Sequence, residues 1–252
     1  MKNRILFLIL TTFGMATVAQ TMEDSTSHAM PLADPLPLRH WTIGLQGGLA
    51  RNYHQVDMSY MSEMKYDKYV DGGTYGLHVQ YNPWHWIGFR AEAVFIQKSY
   101  HMDHVTYLYS NRFATQTTTI NNYINIPLML DLSLGGMVRV HLFGGGYWGY
   151  WLTSHRSGVT YPLRGDVNEF DEYVDLDQPL PYSDDGLTRF NRQEWGLVYG
   201  GSLTLTLLNR WMINVEARSH YSLTDIQNPY MRNHFPRYNT TFVIQGGVGV
   251  KL

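Results

Sequence analysis

Connections between strand-like segments alternate long, short, long, short along the whole chain. Period-two apolar patterning marks eight segments, at 41–50, 73–82, 87–97, 120–132, 138–152, 195–207, 211–223 and 241–252. The gaps between them, by subtraction, are 22, 4, 22, 5, 42, 3 and 17 residues. A soluble antiparallel barrel has no reason to sort its connections by length. A membrane barrel does, because its periplasmic turns are short and its outer loops are longer. An even strand number then places both chain ends on the short-turn side.

The start of the chain has the form of a secretory signal. Lys2 and Arg4 precede an apolar run from Ile5 to Leu10, and Thr17-Val18-Ala19 supply small residues before a cut at Gln20. Residues 1–19 are therefore assigned to a signal peptide, 20–39 to an irregular, proline-containing periplasmic lead-in, and 40–252 to the barrel. The apolar run is too short to span a bilayer as a helix, and no other window is apolar enough. A mean hydropathy of −0.28 does not argue against a membrane barrel, whose strands alternate lipid-facing and lumen-facing residues. The chain has no cysteine, so the fold must hold without disulfides. Without Lys2 and Arg4, 17 basic residues face 21 acids, a net charge near −4 that offers nothing to a nucleic acid.

Each segment divides into an apolar and a polar face. Trp41, Ile43, Leu45 and Leu49 oppose Thr42, Gly44, Gln46 and Gly48, and Ile87, Phe89, Ala91, Ala93 and Phe95 oppose Gly88, Arg90, Glu92 and Lys98. Ile124 to Leu132 alternate with Asn125, Pro127 and Asp131, where Pro127 removes a ladder donor and predicts a bulge or bend. Val138, Val140 and Leu142 oppose Arg139 and His141, and Ile213, Val215 and Ala217 oppose Asn214, Glu216 and Arg218. Eight strands enclose only enough room for side chains to fill, so these bulky apolar sets cannot all converge inward. They belong outside, against lipid.

The tryptophans agree. Trp41, Trp84, Trp86 and Trp211 fall at segment ends served by short turns, and Trp148, Trp151 and Trp195 at ends served by long loops. That distribution describes aromatic girdles at two membrane interfaces. The same choice sends Arg90, Glu92, Asp131, Arg139, Glu216, Arg218 and Lys251 into the lumen. Charges there must pair or meet water, and a structural polar network that fixes register is the expected outcome, with an ion path as the alternative.

Other motifs fail on context. Gly144-Gly145-Gly146-Tyr147-Trp148-Gly149 matches a dinucleotide fingerprint formally, but no helix follows to receive a pyrophosphate. His101 and His104 share a loop, with His54, His155 and His234 in others, and are expected to be solvated rather than metal-bound. The acids between Asp166 and Asp177 lack calcium-loop spacing and read as a solvated acidic loop. Met58, Met61 and Met64 have helical spacing and read as a short packed turn. Ser202, His141, His220 and Glu216 share the interior face, which makes a lipid esterase or acyltransferase conceivable, but no nucleophile elbow supports it. No catalytic residue, metal or cofactor is assigned.

In the segments 87–100 (IGFRAEAVFIQKSY), 122–132 (NYINIPLMLDL), 140–152 (VHLFGGGYWGYWL), 195–205 (WGLVYGGSLTL), 214–226 (NVEARSHYSLTDI) and the terminal VIQGGVGVKL, the chain resembles the PorT-like outer-membrane β-barrel family of Bacteroidetes-type bacteria. Asn125 stands where such proteins often carry Glu, and Leu252 ends the chain where an aromatic residue is common. The resemblance implies fold far more than activity, and through the family's namesake it implies a link to type IX protein secretion as one alternative.

The expected architecture is all-β: an eight-stranded antiparallel up-and-down transmembrane β-barrel with short periplasmic turns and long extracellular loops. Outer-membrane lipid and the barrel-assembly machinery are its implied partners. The 42-residue connection 153–194 has nine acids, four basic residues and interleaved Tyr161, Phe170, Tyr173, Tyr182 and Phe190, a mixture suited to contacting a surface protein or glycan. The leading expectation is thus a non-enzymatic surface-binding or assembly protein, with secretion component, lipid-modifying enzyme and small-solute pore as alternatives.

Overall fold

The computed structural model describes residues 41–56, 64–108, 111–162, 165–179, 187–208, 210–228, 230 and 236–252. The signal peptide and lead-in assignments, Met58, Met61 and His234 lie outside the described residues. The strands are β1 (Trp41–Val56), β2 (Met64–Tyr69), β3 (Asp71–Tyr81), β4 (Ile87–Leu108), β5 (Asn111–Gly135), β6 (Val138–Pro162), β7 (Asn168–Tyr173), β8 (Gln193–Leu207), β9 (Trp211–Ser222) and β10 (Arg237–Lys251). Eight of them close into an antiparallel ring, β1-β3-β4-β5-β6-β8-β9-β10 and back to β1.

The register fixes the barrel's shape. Partners traced once around the ring run from Ile43 through Val79, Ala91, Leu128, Gly146, Leu197, Tyr221 and Thr240 to Tyr53. The path returns to β1 ten residues beyond its start, and with standard strand spacings that stagger tilts the strands by about 40° and leaves about 8 Å from axis to backbone. Such a lumen holds side chains and little else.

The outer face is the apolar one. Leu45, Leu128, Val215 and Ile244 are each more than half exposed, and their sequence neighbours Gln46, Met129, Glu216 and Gln245 are buried in the lumen. Among the described residues, no helix is long and apolar enough to cross a membrane, so any crossing is made by strands. A continuous apolar belt on a closed ring is stable against hydrocarbon, where every backbone group is already paired. Trp41, Trp84, Trp86, Trp195 and Trp211 are about half exposed on this face, and Trp148 is partly exposed.

Trp151 departs from the expected girdle. It is only 4% exposed and stacks on Tyr123 inside the mouth, with ring centroids 5.6 Å apart. Ordinary alternation puts it there, since Trp151 continues the odd-numbered inward row of Phe143 and Tyr147. A bulge follows it. Asn122 pairs with Thr153 while Tyr123 pairs with Trp151, leaving Leu152 as an extra residue on β6. Odd-numbered β6 residues point inward below it and even-numbered ones above it. The bend expected at Pro127 takes another form: two β4–β5 pairs are missing beside it, with no change of register.

The strands also run further than the apolar pattern shows. At 22, 25 and 25 residues, β4, β5 and β6 far exceed the roughly 9–11 residues that cross a membrane. The stretches 98–108, 111–119 and 153–162, read from sequence as loop, continue as strand. With β2 on one edge and β7 on the other, they form a five-stranded platform beyond the ring, in the order β2-β4-β5-β6-β7. Met64 accordingly opens a strand rather than lying in a helical turn. At the opposite end the connections are tight. Gly135 adopts φ +118° before the β5–β6 turn, a conformation that disfavours any other residue. Both barrel ends meet there, with Leu252 donating its backbone N–H to Trp41 at 2.9 Å.

Candidate functional site

The lumen is filled by a charge-balanced cluster at mid-barrel. Arg90 and Glu92 of β4 meet Glu216 and Arg218 of β9 across the interior. Arg90 Nη1 donates to Glu216 Oε2 at 2.7 Å, and Arg218 Nη1 donates to Glu92 Oε2 at 2.6 Å. Arg90 Nε lies 2.6 Å from Glu92 Oε1 but out of line with its N–H, so that contact is attraction between charges rather than an aligned hydrogen bond. Gln46 accepts from Arg90 and donates to Glu92, each at 2.7 Å, and Gln245 donates to Glu216 at 3.1 Å. Gly200 faces Arg218 across the β8–β9 ladder, and a Cβ there would collide with it. The glycine makes room for the guanidinium's stem.

The remaining interior charges lie towards the short-turn end. Asp131 accepts from Gln80 at 2.7 Å and sits 2.8 Å from His141 Nδ1. Lys251 donates to Thr206 at 3.1 Å, and Arg139 lines the same small space with its Nε buried and unbonded. Of the seven charged residues assigned to the lumen, Arg90, Glu92, Glu216 and Arg218 form one network, Asp131 is buried apart from it, and Arg139 and Lys251 are half-buried at the short-turn end.

A second network, above the first, joins Lys98, which the sequence placed on the polar face, to Glu194, which it did not single out. Glu194 pairs with Lys98, accepts from Tyr147 at 2.5 Å and accepts from Asn239 at 2.7 Å. The Lys98 ammonium lies 4.3 Å from the Tyr123 ring centroid. Lys98 continues the inward even-numbered row of Arg90 and Glu92, and Glu194 precedes Gly196 on the inward row of β8. Extending that parity one residue before the segment at 195 would have found Glu194. Two stacked ionic layers close the lumen to water, so the barrel reconstituted in planar bilayers is expected to show no conductance steps. Recorded steps would mean the layers open.

The hydrolase constellation is not assembled. Ser202 lies opposite both His141 and Glu216 in register, but His141 Nε2 and both ring nitrogens of His220 lack a hydrogen-bond partner. The Glu216 carboxylate is occupied by Arg90, Arg218 and Gln245. Gly144 to Gly149 lie within β6, which continues as strand to Pro162.

Among the described residues, no group of three or more His, Asp or Glu side chains is placed to hold a metal. His101 Nδ1 bonds Thr118 at 2.9 Å, and His155 Nε2 lies 2.6 Å from Asp171. The acidic stretch is exposed, as expected, but part of it is strand β7; Asp171 lies 2.6 Å from His155, Glu172 4.0 Å from Arg156 and Asp177 2.8 Å from Arg192. These pairs fasten β7 and the following chain to the platform.

Above the lumen the return of the long connection forms a lid. Asn191 donates to Ile226 and Asn228 donates to Arg189 through backbone N–H groups at 2.9 and 3.1 Å, joining residues 187–192 to 225–228. The lid's underside carries Leu176, Ile226 and Phe190, which pack with Trp151 and Tyr123 over the mouth. Between lid and platform lies an open cup of about 390 Å³. Three arginines reach it, Arg156 from β6, Arg189 from the lid and Arg237 from the start of β10, against one carboxylate, Glu172. Phe170 covers Gly158 on the platform wall; a Cβ at that glycine would lie 2.7 Å from the ring's Cζ.

The sequence model for the outer membrane protein β-barrel domain matches residues 18–228. No curated protein matches the chain in sequence. Solved structures with a similar fold include Ail of Yersinia pestis in complex with the heparin analogue sucrose octasulfate, at 11% identity and TM-score 0.39, covering 83% of this chain and 99% of that one. OprG of Pseudomonas aeruginosa is similar at 10% identity and TM-score 0.43, covering 84% and 96%. The outer membrane protease OmpT of Escherichia coli is similar at 8% identity and TM-score 0.36, covering 84% and 97%.

Proposed function

The chain belongs to the family of outer membrane protein β-barrel domains, and from that premise we propose that it is a non-enzymatic surface-binding barrel. The ring serves as a closed anchor, and the raised platform with its lid and cup contacts a protein or glycan outside the cell. One observation carries this reading: three strands continue well past the membrane span to build a five-stranded platform over a lumen sealed by ion pairs. A pore would need an open lumen, and a lipid-modifying enzyme would need a bonded nucleophile. The platform requires only a rigid base, which a filled barrel supplies.

The orientation is part of the proposal. The short-turn end and both termini face the periplasm, residues 1–19 direct export, and the barrel-assembly machinery inserts the mature chain. Trp41, Trp84, Trp86 and Trp211 sit at the inner interface and Trp148 and Trp195 at the outer one, in contact with outer-membrane lipid.

Cell-surface cross-linking tests the reading. Intact barrel is expected to capture a partner, and a chain with residues 163–191 replaced by a short turn is expected to lose it while still inserting. Equal capture by both would refute the loop-borne role. The PorT-like segments favour a second reading, type IX secretion, and a deletion strain that strands exported proteins in the periplasm would support that one instead.

A further inference from the structure

We propose that the cup between platform and lid binds an acidic saccharide, a sugar ring bearing carboxylate or sulfate. The inference rests on the surface-binding reading and names the ligand class for it. Three arginines line this space from three separate parts of the chain. Arg156 has Glu172 no closer than 4.0 Å, and Arg189 has a 3.5 Å contact to Gln178 and a ring contact with Phe190. The Arg237 Nε is buried without an acceptor. Planar guanidinium forks fit carboxylate and sulfate oxygens in pairs. The 153–194 connection as a whole has nine acids to four bases, so arginines gathered at this hollow run against its composition.

The cup's floor specifies more than an anion. Thr119 Oγ1 and Asn121 Oδ1 are buried there without partners, on residues 3% and 1% exposed. An amide oxygen only accepts, so the complementary ligand must bring a hydrogen-bond donor as well as negative charge. Inorganic sulfate brings no donor, whereas hydroxyls on an acidic sugar supply both. The rings of Phe170 from β7 and Phe190 from the lid also line the cup and add apolar faces that suit the C–H side of a pyranose.

The test uses the full mature barrel in lipopolysaccharide-free phosphatidylcholine nanodiscs, titrated calorimetrically with four probes. These are a carboxylate hexasaccharide of galacturonate, a sulfated heparin-derived hexasaccharide, neutral maltohexaose, and core oligosaccharide released from lipopolysaccharide. At least one acidic probe is expected to bind, maltohexaose is not, and added salt should weaken binding. Arg237→Gln and Arg189→Gln should each weaken it by about tenfold or more, with Arg210→Gln at the far end of the barrel unchanged. Heat-modifiable gel migration confirms that each variant is folded. Preference for the core oligosaccharide would assign the ligand to the cell's own surface, and preference for the other acidic chains to a foreign glycan; both support the proposal. Failure of every acidic probe, equal binding of maltohexaose, or undiminished binding by both arginine variants overturns it. A barrel that binds no acidic saccharide yet still captures a partner through residues 163–191 refutes the ligand class and leaves the surface-binding role standing.

Discussion

Replacing Glu92 with glutamine is expected to destabilise the barrel by about 3–5 kcal/mol, because it strands positive charge in a dry interior. Glu92 lies 2.6 Å from Arg218, 2.6 Å from Arg90 and 2.7 Å from Gln46, and its side chain is fully buried. Glutamine preserves the shape and removes the charge, leaving two guanidiniums to share Glu216. Its amide nitrogen is also a donor, so one orientation would set donor against donor. The measurement is urea unfolding of refolded barrel in micelles, followed by tryptophan fluorescence. Adding Arg218→Gln should recover a large part of the loss, since it restores neutrality without restoring the bonds. A single variant that unfolds within about 1 kcal/mol of the parent would mean water reaches the cluster and screens it.

That cluster shows how far the sequence could be read. The inward rows of β4 and β9 were visible from alternation alone, because each residue between them had to be apolar to face lipid. Which charges meet was not visible: Arg90 and Glu216 are 126 positions apart and are joined only by the barrel's stagger. The tight turns and the eight ring strands were legible for the same reason as the rows. The outward reach of β4, β5 and β6 was not, since above the membrane neither face of a strand touches lipid and the apolar period disappears. Thr115, Thr117 and Thr119 therefore read as loop although they lie in β5. Trp151 shares the inward parity of Phe143 and Tyr147, so alternation on β6 already sent it to the mouth; the bulge at Leu152 is a single extra residue with no compositional signature, and it reverses the facing of β6 from there on. The cup joins Arg156, Arg189 and Arg237 through the lid's fold, which no spacing encodes.

Leu128→Arg should cost about 2–4 kcal/mol, and Leu134→Arg only about 0–1 kcal/mol, if lipid covers the outer face. Both leucines are well exposed on β5, at 63% and 74%. Leu128 is central in the outward row from Ile124 to Leu134, and Leu134 closes the row beside the short turn. In water, a charge at either exposed position would be nearly neutral, within about 0.5 kcal/mol. In a bilayer the penalty depends on depth, because an arginine near the interface can extend to the headgroups and one at the centre cannot. Comparing the two therefore separates lipid from solvent without knowing any ligand or partner. The readout is equilibrium unfolding in lipid vesicles, where both variants should fold and only Leu128→Arg should shift the midpoint strongly. Equal, small effects at both positions would show that water bathes the apolar belt, and the closed anchor beneath the platform would lose its basis.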